Sequence, residues 1–188
     1  MKKPWKIAFF TLFIINVATI SSLFFFLLQP SELTIPTPEA GKGATFLVHA
    51  SKEDVNAFMN DYIQQKKKKG TLSYRVWVND RVYIASEIEL FGRNIPLTMS
   101  FLPNVVNGDV ELRDPDLSLG ALHIPARYAL NYLQKHASLP SEVVIDPNHN
   151  RIYVAVTHMR LKNGYRLSVQ SFDLPHDSIV FTLTIPTK

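Results

Sequence analysis

The chain has 188 residues, 20 Lys and Arg against 16 Asp and Glu, and no cysteine. Much of the +4 net charge comes from Lys2, Lys3 and Lys6; without them 17 basic residues face 16 acidic ones, so charge gives no argument for a nucleic-acid partner. The missing cysteine excludes both a disulfide-stapled scaffold and a lipid-modified lipoprotein.

Residues 7–28, IAFFTLFIINVATISSLFFFLL, carry no charge. As a helix this run would reach about 33 Å, enough for a hydrocarbon core of about 30 Å. It predicts a single-pass anchor in the cytoplasmic membrane. Lys2, Lys3 and Lys6 would hold residues 1–6 in the cytoplasm, with the remainder extracellular. The rival is a cleaved signal peptide, whose apolar region is about 7–15 residues long and ends in a small-x-small site. Leu27, Leu28, Gln29 and Pro30 offer no such site. Residues 29–45 contain Pro30, Pro36, Pro38, Gly41 and Gly43 and predict an extended linker to a domain over 46–188.

Ser51 with Asp54 predicts a capped helix start. Val55, Phe58, Met59, Tyr62 and Ile63 follow as one apolar stripe. The helix closes in Lys66, Lys67, Lys68 and Lys69 before Gly70, with cations complementing its C-terminal dipole. Period-two alternation then predicts strands. Leu72 to Val78 turns at Asn79–Asp80 into Val82, Ile84, Ile88 and Leu90. Phe91 to Asn94 turns into Ile95, Leu97, Met99 and Phe101, and a fourth strand holds Val106, Val110 and Leu112 around Asn107–Gly108. Pro125 opens a second helix bearing Tyr128, Ala129, Tyr132 and Leu133. Four more strands are expected over 143–145, 152–156, 165–172 and 179–185. The expected class is α+β: a transmembrane helix, then a curved, mostly antiparallel meander with two amphipathic helices, in the order helix plus four strands twice.

No nucleophile elbow, P-loop or metal-ligand spacing occurs. The six histidines are scattered, and Asp114–Pro115–Asp116 reads as a turn. Neither catalysis nor a cofactor or metal is expected. Some eight strands about 4.8 Å apart make a sheet nearly 40 Å wide, while two helices about 10 Å wide cover about half of it. The rest either closes on itself or leaves a groove for an acyl chain. The groove candidates are Val82, Ile84, Ile88, Leu90, Ile95, Leu97, Met99 and Phe101. The Lys66–Lys69 run reads as a solvated helix end or as a contact for an anionic surface.

The segments PWKIAFFTLFIIN, KEDVNAFMNDYI, YRVWVNDRVYI, LFGRNIPLTMSFLPNVVNGDVELR, SLGALHIPARYALNYLQK, LPSEVVIDPN and FDLPHDSIVFTLTIP run through the whole chain. Together they resemble the YpmS family, small membrane-anchored proteins of Gram-positive bacteria without an assigned function. Glu142 stands where a tryptophan is expected in relatives. The resemblance implies an anchored extracellular domain and brings no catalytic residues. The element order also resembles, more distantly, bacterial lipid-binding domains of tubular type. The expected function is a membrane-tethered extracellular module that binds a lipid or other amphiphile without catalysis. The alternative is a subunit that positions an envelope protein, either an enzyme or cell-wall machinery.

Overall fold

The computed structural model describes residues 4–27, 36–37, 43–66, 73–90, 93–119, 125–137, 139–159, 161 and 164–186. The chain forms two compact units, Met1–Leu33 and Thr34–Lys188. The first contains helix α1 (Pro4–Leu27), in which the Thr19 hydroxyl donates back to the Ile15 carbonyl at 2.8 Å. The transmembrane helix expected over 7–28 is corrected here: among the described residues no helix is long and apolar enough to cross a membrane. The single-pass topology, the cytoplasmic N-terminus and the extracellular placement rested on that anchor and lose their support with it.

The second unit opens with β1 (Ala44–Ala50), a strand absent from the expectations because the linker was drawn through 45. Helix α2 (Lys52–Lys66) starts as its cap predicts: Asp54 N donates to Ser51 Oγ at 3.1 Å, and Ser51 N donates to an Asp54 carboxylate oxygen at 2.9 Å. Strands β2 (Tyr74–Val78), β3 (Val82–Leu90), β4 (Arg93–Val106) and β5 (Asp109–Leu119) form the meander. Helix α3 (Ala126–His136), β6 (Val143–Asp146), β7 (Arg151–Val154), β8 (Arg166–Asp173) and β9 (Ser178–Ile185) follow.

The fourth expected strand, drawn through Asn107–Gly108, is instead the hairpin between β4 and β5. Asn107 (φ 52°) and Gly108 (φ 88°) both adopt positive φ, which a two-residue hairpin turn with the right twist requires. A side chain at Gly108 would also come within 3.1 Å of Ser168. The Gly108 carbonyl accepts from Val169 N at 2.8 Å and so links the tip of this hairpin to β8.

All pairings are antiparallel, in two sheets ordered β2-β3-β4-β5-β7-β6 and β1-β9-β8. The order helix then four strands does occur twice, but it does not give two equivalent halves. Leu112 pairs with Ile152, so β7 and β6 extend the first sheet, while β8 and β9 join β1 in the second. One core serves both sheets: Met99, Phe101, Leu130, Ile152 and Ile179 lie in it together with Val55 of α2.

Candidate ligand-binding cavity

The apolar stripe of α2 divides by depth. Val55 enters the core, whereas Phe58, Met59, Tyr62 and Ile63 line a cavity between α2, the end of α3 and the six-stranded sheet. The sheet brings Val76 and Ile84, cross-strand partners on one face, and the row Leu112, Ile152 and Ile145. Val154 and Val143 form the next row, and Leu133, Ala137 and Leu139 close the α3 side. The empty space is about 800 Å³ counting its open mouth, and its lining is apolar almost throughout. The part of it that a water-sized sphere can occupy is about 120 Å³, below the range of about 300–1,000 Å³ typical of drug-sized sites and enough for a short apolar segment. Such walls offer a sugar, nucleotide or peptide no hydrogen bonds, so burying one there would leave its polar groups unpaired. A hydrocarbon chain loses nothing on entry.

Polar chemistry sits behind the wall. Glu142, itself buried, lies between the lining residues Pro140 and Val143 and accepts from Ser141 Oγ at 3.1 Å. Burial pushes the Tyr62 phenol upward, and its hydrogen bond to Glu142 adds to the shift.

Of the eight residues expected to line a groove, the six whose side chains are described are not gathered into one. Met99 and Phe101 are 0% exposed, and Val82 and Leu97 are also buried, so this part of the sheet face is closed core. Ile95 packs half-buried against that core. Among those of the eight whose side chains are described, Ile84 alone lines the cavity. The side chains of Ile88 and Leu90 lie outside the described residues. So do Lys67, Lys68, Lys69 and the side chain of Lys66, although Lys66 ends α2. Four lining residues outside that expectation, Val143, Ile145, Ile152 and Val154, come from strands that the alternation predicts. Only the β5–β7 pairing, which joins distant segments, brings them opposite α2.

A second cluster is ionic. Buried Glu111 accepts from Arg113 Nε at 2.6 Å and Arg151 Nη1 at 2.8 Å, and Arg151 Nε donates to Asp146 at 3.0 Å. Burial alone would raise the Glu111 and Asp146 carboxyls. Hydrogen-bond partners outweigh it and hold both below their usual range: the Arg113 and Arg151 guanidinium groups for Glu111, the His149 hydrogen bonds and Arg151 for Asp146. Fully buried Asp109 accepts from Tyr153 Oη and Thr157 N, and burial followed by that bond pushes the Tyr153 phenol upward. Every carboxylate here is already satisfied within the chain, which marks the cluster as a brace between β5, β6 and β7. Among the described residues no group of three or more His, Asp or Glu could hold a metal ion.

The family described as "uncharacterized protein conserved in bacteria" (DUF2140) matches residues 3–185. The chain belongs to this family. The relative described as the uncharacterized protein YpmS of Bacillus subtilis (strain 168) is 34% identical over 185 residues, 98% of each chain, so the YpmS resemblance holds. No solved structure matches this chain.

Proposed function

We propose that this family member is a non-catalytic binding module that houses the hydrocarbon part of a lipid or other amphiphile between α2, α3 and the six-stranded sheet. The observation that carries it is the almost wholly apolar lining of a cavity that opens at one side. A void left merely by imperfect packing is usually shut, because interiors pack to near-crystalline density. With no polar group facing the lumen, the polar head of the ligand stays at the mouth. Native mass spectrometry of the full chain tests this, with the protein held in an amphipathic polymer because detergent would compete for the cavity. The expected spectrum has an added mass of one lipid per chain, released by organic solvent. A chain that carries no such mass and takes up no added dodecanol sinks the proposal.

A further inference from the structure

The two sheets have four edges, and three carry devices that discourage further pairing. β2 is five residues long and bears Arg75, β6 is only four residues long, and β8 bears Arg166 and breaks register between Val169 and Ser171. β1 has no such device. Its seven residues, ATFLVHA, include no Lys, Arg, Asp, Glu or Pro, and the strand pairs throughout with β9 without a bulge. Its other edge has no strand partner among the described residues. Phe46, Leu47 and Val48 are 52%, 61% and 39% exposed. A flat, uncharged, apolar edge of this length is a template for another strand.

The strand's own sequence selects the occupant. We infer that β1 pairs antiparallel with β1 of a second copy of this chain, about a two-fold axis through Leu47. In that register Leu47 faces Leu47 of the copy, Phe46 faces Val48, Thr45 faces His49 and Ala44 faces Ala50. The Phe–Val pairs are aromatic against β-branched, a favourable cross-strand combination, and no like charges meet. A two-fold interface must complement itself, and ATFLVHA does so about its central residue. The result is one continuous sheet ordered β8-β9-β1-β1-β9-β8 across the two copies.

The absence of cysteine makes the test clean. Each position is changed singly in the full chain, expressed in bacterial cells, treated with a membrane-permeant oxidant and read on a non-reducing gel. In the inferred register, Leu47→Cys brings two Cα atoms within about 5.5 Å, inside disulfide range. Phe46→Cys leaves them about 8 Å apart, beyond the limit of about 7 Å. The cross-linked fraction for Leu47→Cys should exceed that for Phe46→Cys at least about tenfold. Phe46→Cys co-expressed with Val48→Cys should form the mixed dimer, an independent check at other positions. All three side chains are exposed, so folding does not depend on them. Equal cross-linking of the Leu47 and Phe46 variants signals random collision and overturns the inference. No cross-linking at any of these positions overturns it equally.

Discussion

The cavity makes a prediction about chain length. Straight-chain alcohols from hexanol upward present the same small head on a growing tail. Each methylene moved from water into apolar surroundings contributes about 0.8 kcal/mol, about fourfold in affinity. Affinity should climb by that factor per carbon and then level off where the tail outgrows the walls. Ala137→Phe shifts the break. Ala137 follows α3 in extended conformation (φ −83°, ψ 137°) and lines the cavity half-buried, so a phenyl ring there has space ahead of it. Burying the ring contributes about 1.5–3 kcal/mol, offset in part by repacking. Folding stability should therefore hold or rise by about 1 kcal/mol while the levelling point moves about two carbons shorter. Displacement of the fluorescent probe N-phenyl-1-naphthylamine reads the affinities, and urea unfolding reads the stability. A climb that continues unbroken through hexadecanol, identical in both proteins, would mean adsorption to the surface and refute the cavity. Retained binding with reduced stability would mean that the ring does not enter the space at all.

Three further predictions concern the frame around the cavity. Asn56 reproduces a strand partner at the end of β2, donating to the Val78 carbonyl at 2.9 Å and accepting from Val78 N at 2.7 Å. Asn56→Ala should cost about 1–3 kcal/mol in urea unfolding and loosen α2 over the cavity. Phe101→Ala, at the fully buried centre, should cost about 3–5 kcal/mol without changing the denaturant slope. The Glu111 and Asp146 carboxyls lie lower in the folded chain than unfolded, so their stabilisation is present above about pH 4 and is lost as pH falls through their folded values. Glu111→Ala should lower stability at pH 7 by about 2 kcal/mol, less than for a fully dry pair because Arg113 is half exposed, and should flatten the acid limb of a urea-midpoint profile.

Local signals in the sequence located most elements of the second unit. The cap at Ser51, the α2 stripe, the Pro125 start and the period-two strands all depend on neighbours within a few residues. Where a signal was ambiguous, the reading failed for a nameable reason. β1 follows a proline-rich stretch and carries Phe46, Leu47 and Val48 in a row, so no alternation marked it. Asn107–Gly108 carried hairpin chemistry that the flanking valines disguised as one strand. The candidate site was half legible: Ile84 and the α2 stripe were visible, but their partners were not. Alternation shows which residues share a face, not which part of that face a helix covers. Phe101 and Ile84 look alike in sequence, since both follow the same pattern on neighbouring strands. Phe101 lies in closed core, while Ile84 lies under α2, where the space is unfilled.

That difference explains why the opening lies where it does. Width alone cannot decide between groove and core, because a sheet can be covered by another sheet as well as by helices. The three-stranded sheet supplies Ile179 and Val169 to the same core as Phe101, so this part of the six-stranded face is sealed. The remaining cover is helical. Along α2 the buried anchor is Val55, near the N-terminus, and the turns that follow carry long side chains that border empty space. The helix is fastened at its start by the Ser51 cap and by Lys52 N donating to Asp177 at 2.7 Å, with Asn56 clasping β2 one turn on. Its C-terminal half, over Ile84 and Val76, rests on the cavity instead of on close-packed core. The position best placed to yield to an entering hydrocarbon chain is therefore Ile63, far from these fastenings and, unlike Tyr62, not hydrogen-bonded to Glu142. Replacing it should alter entry rates more than overall stability.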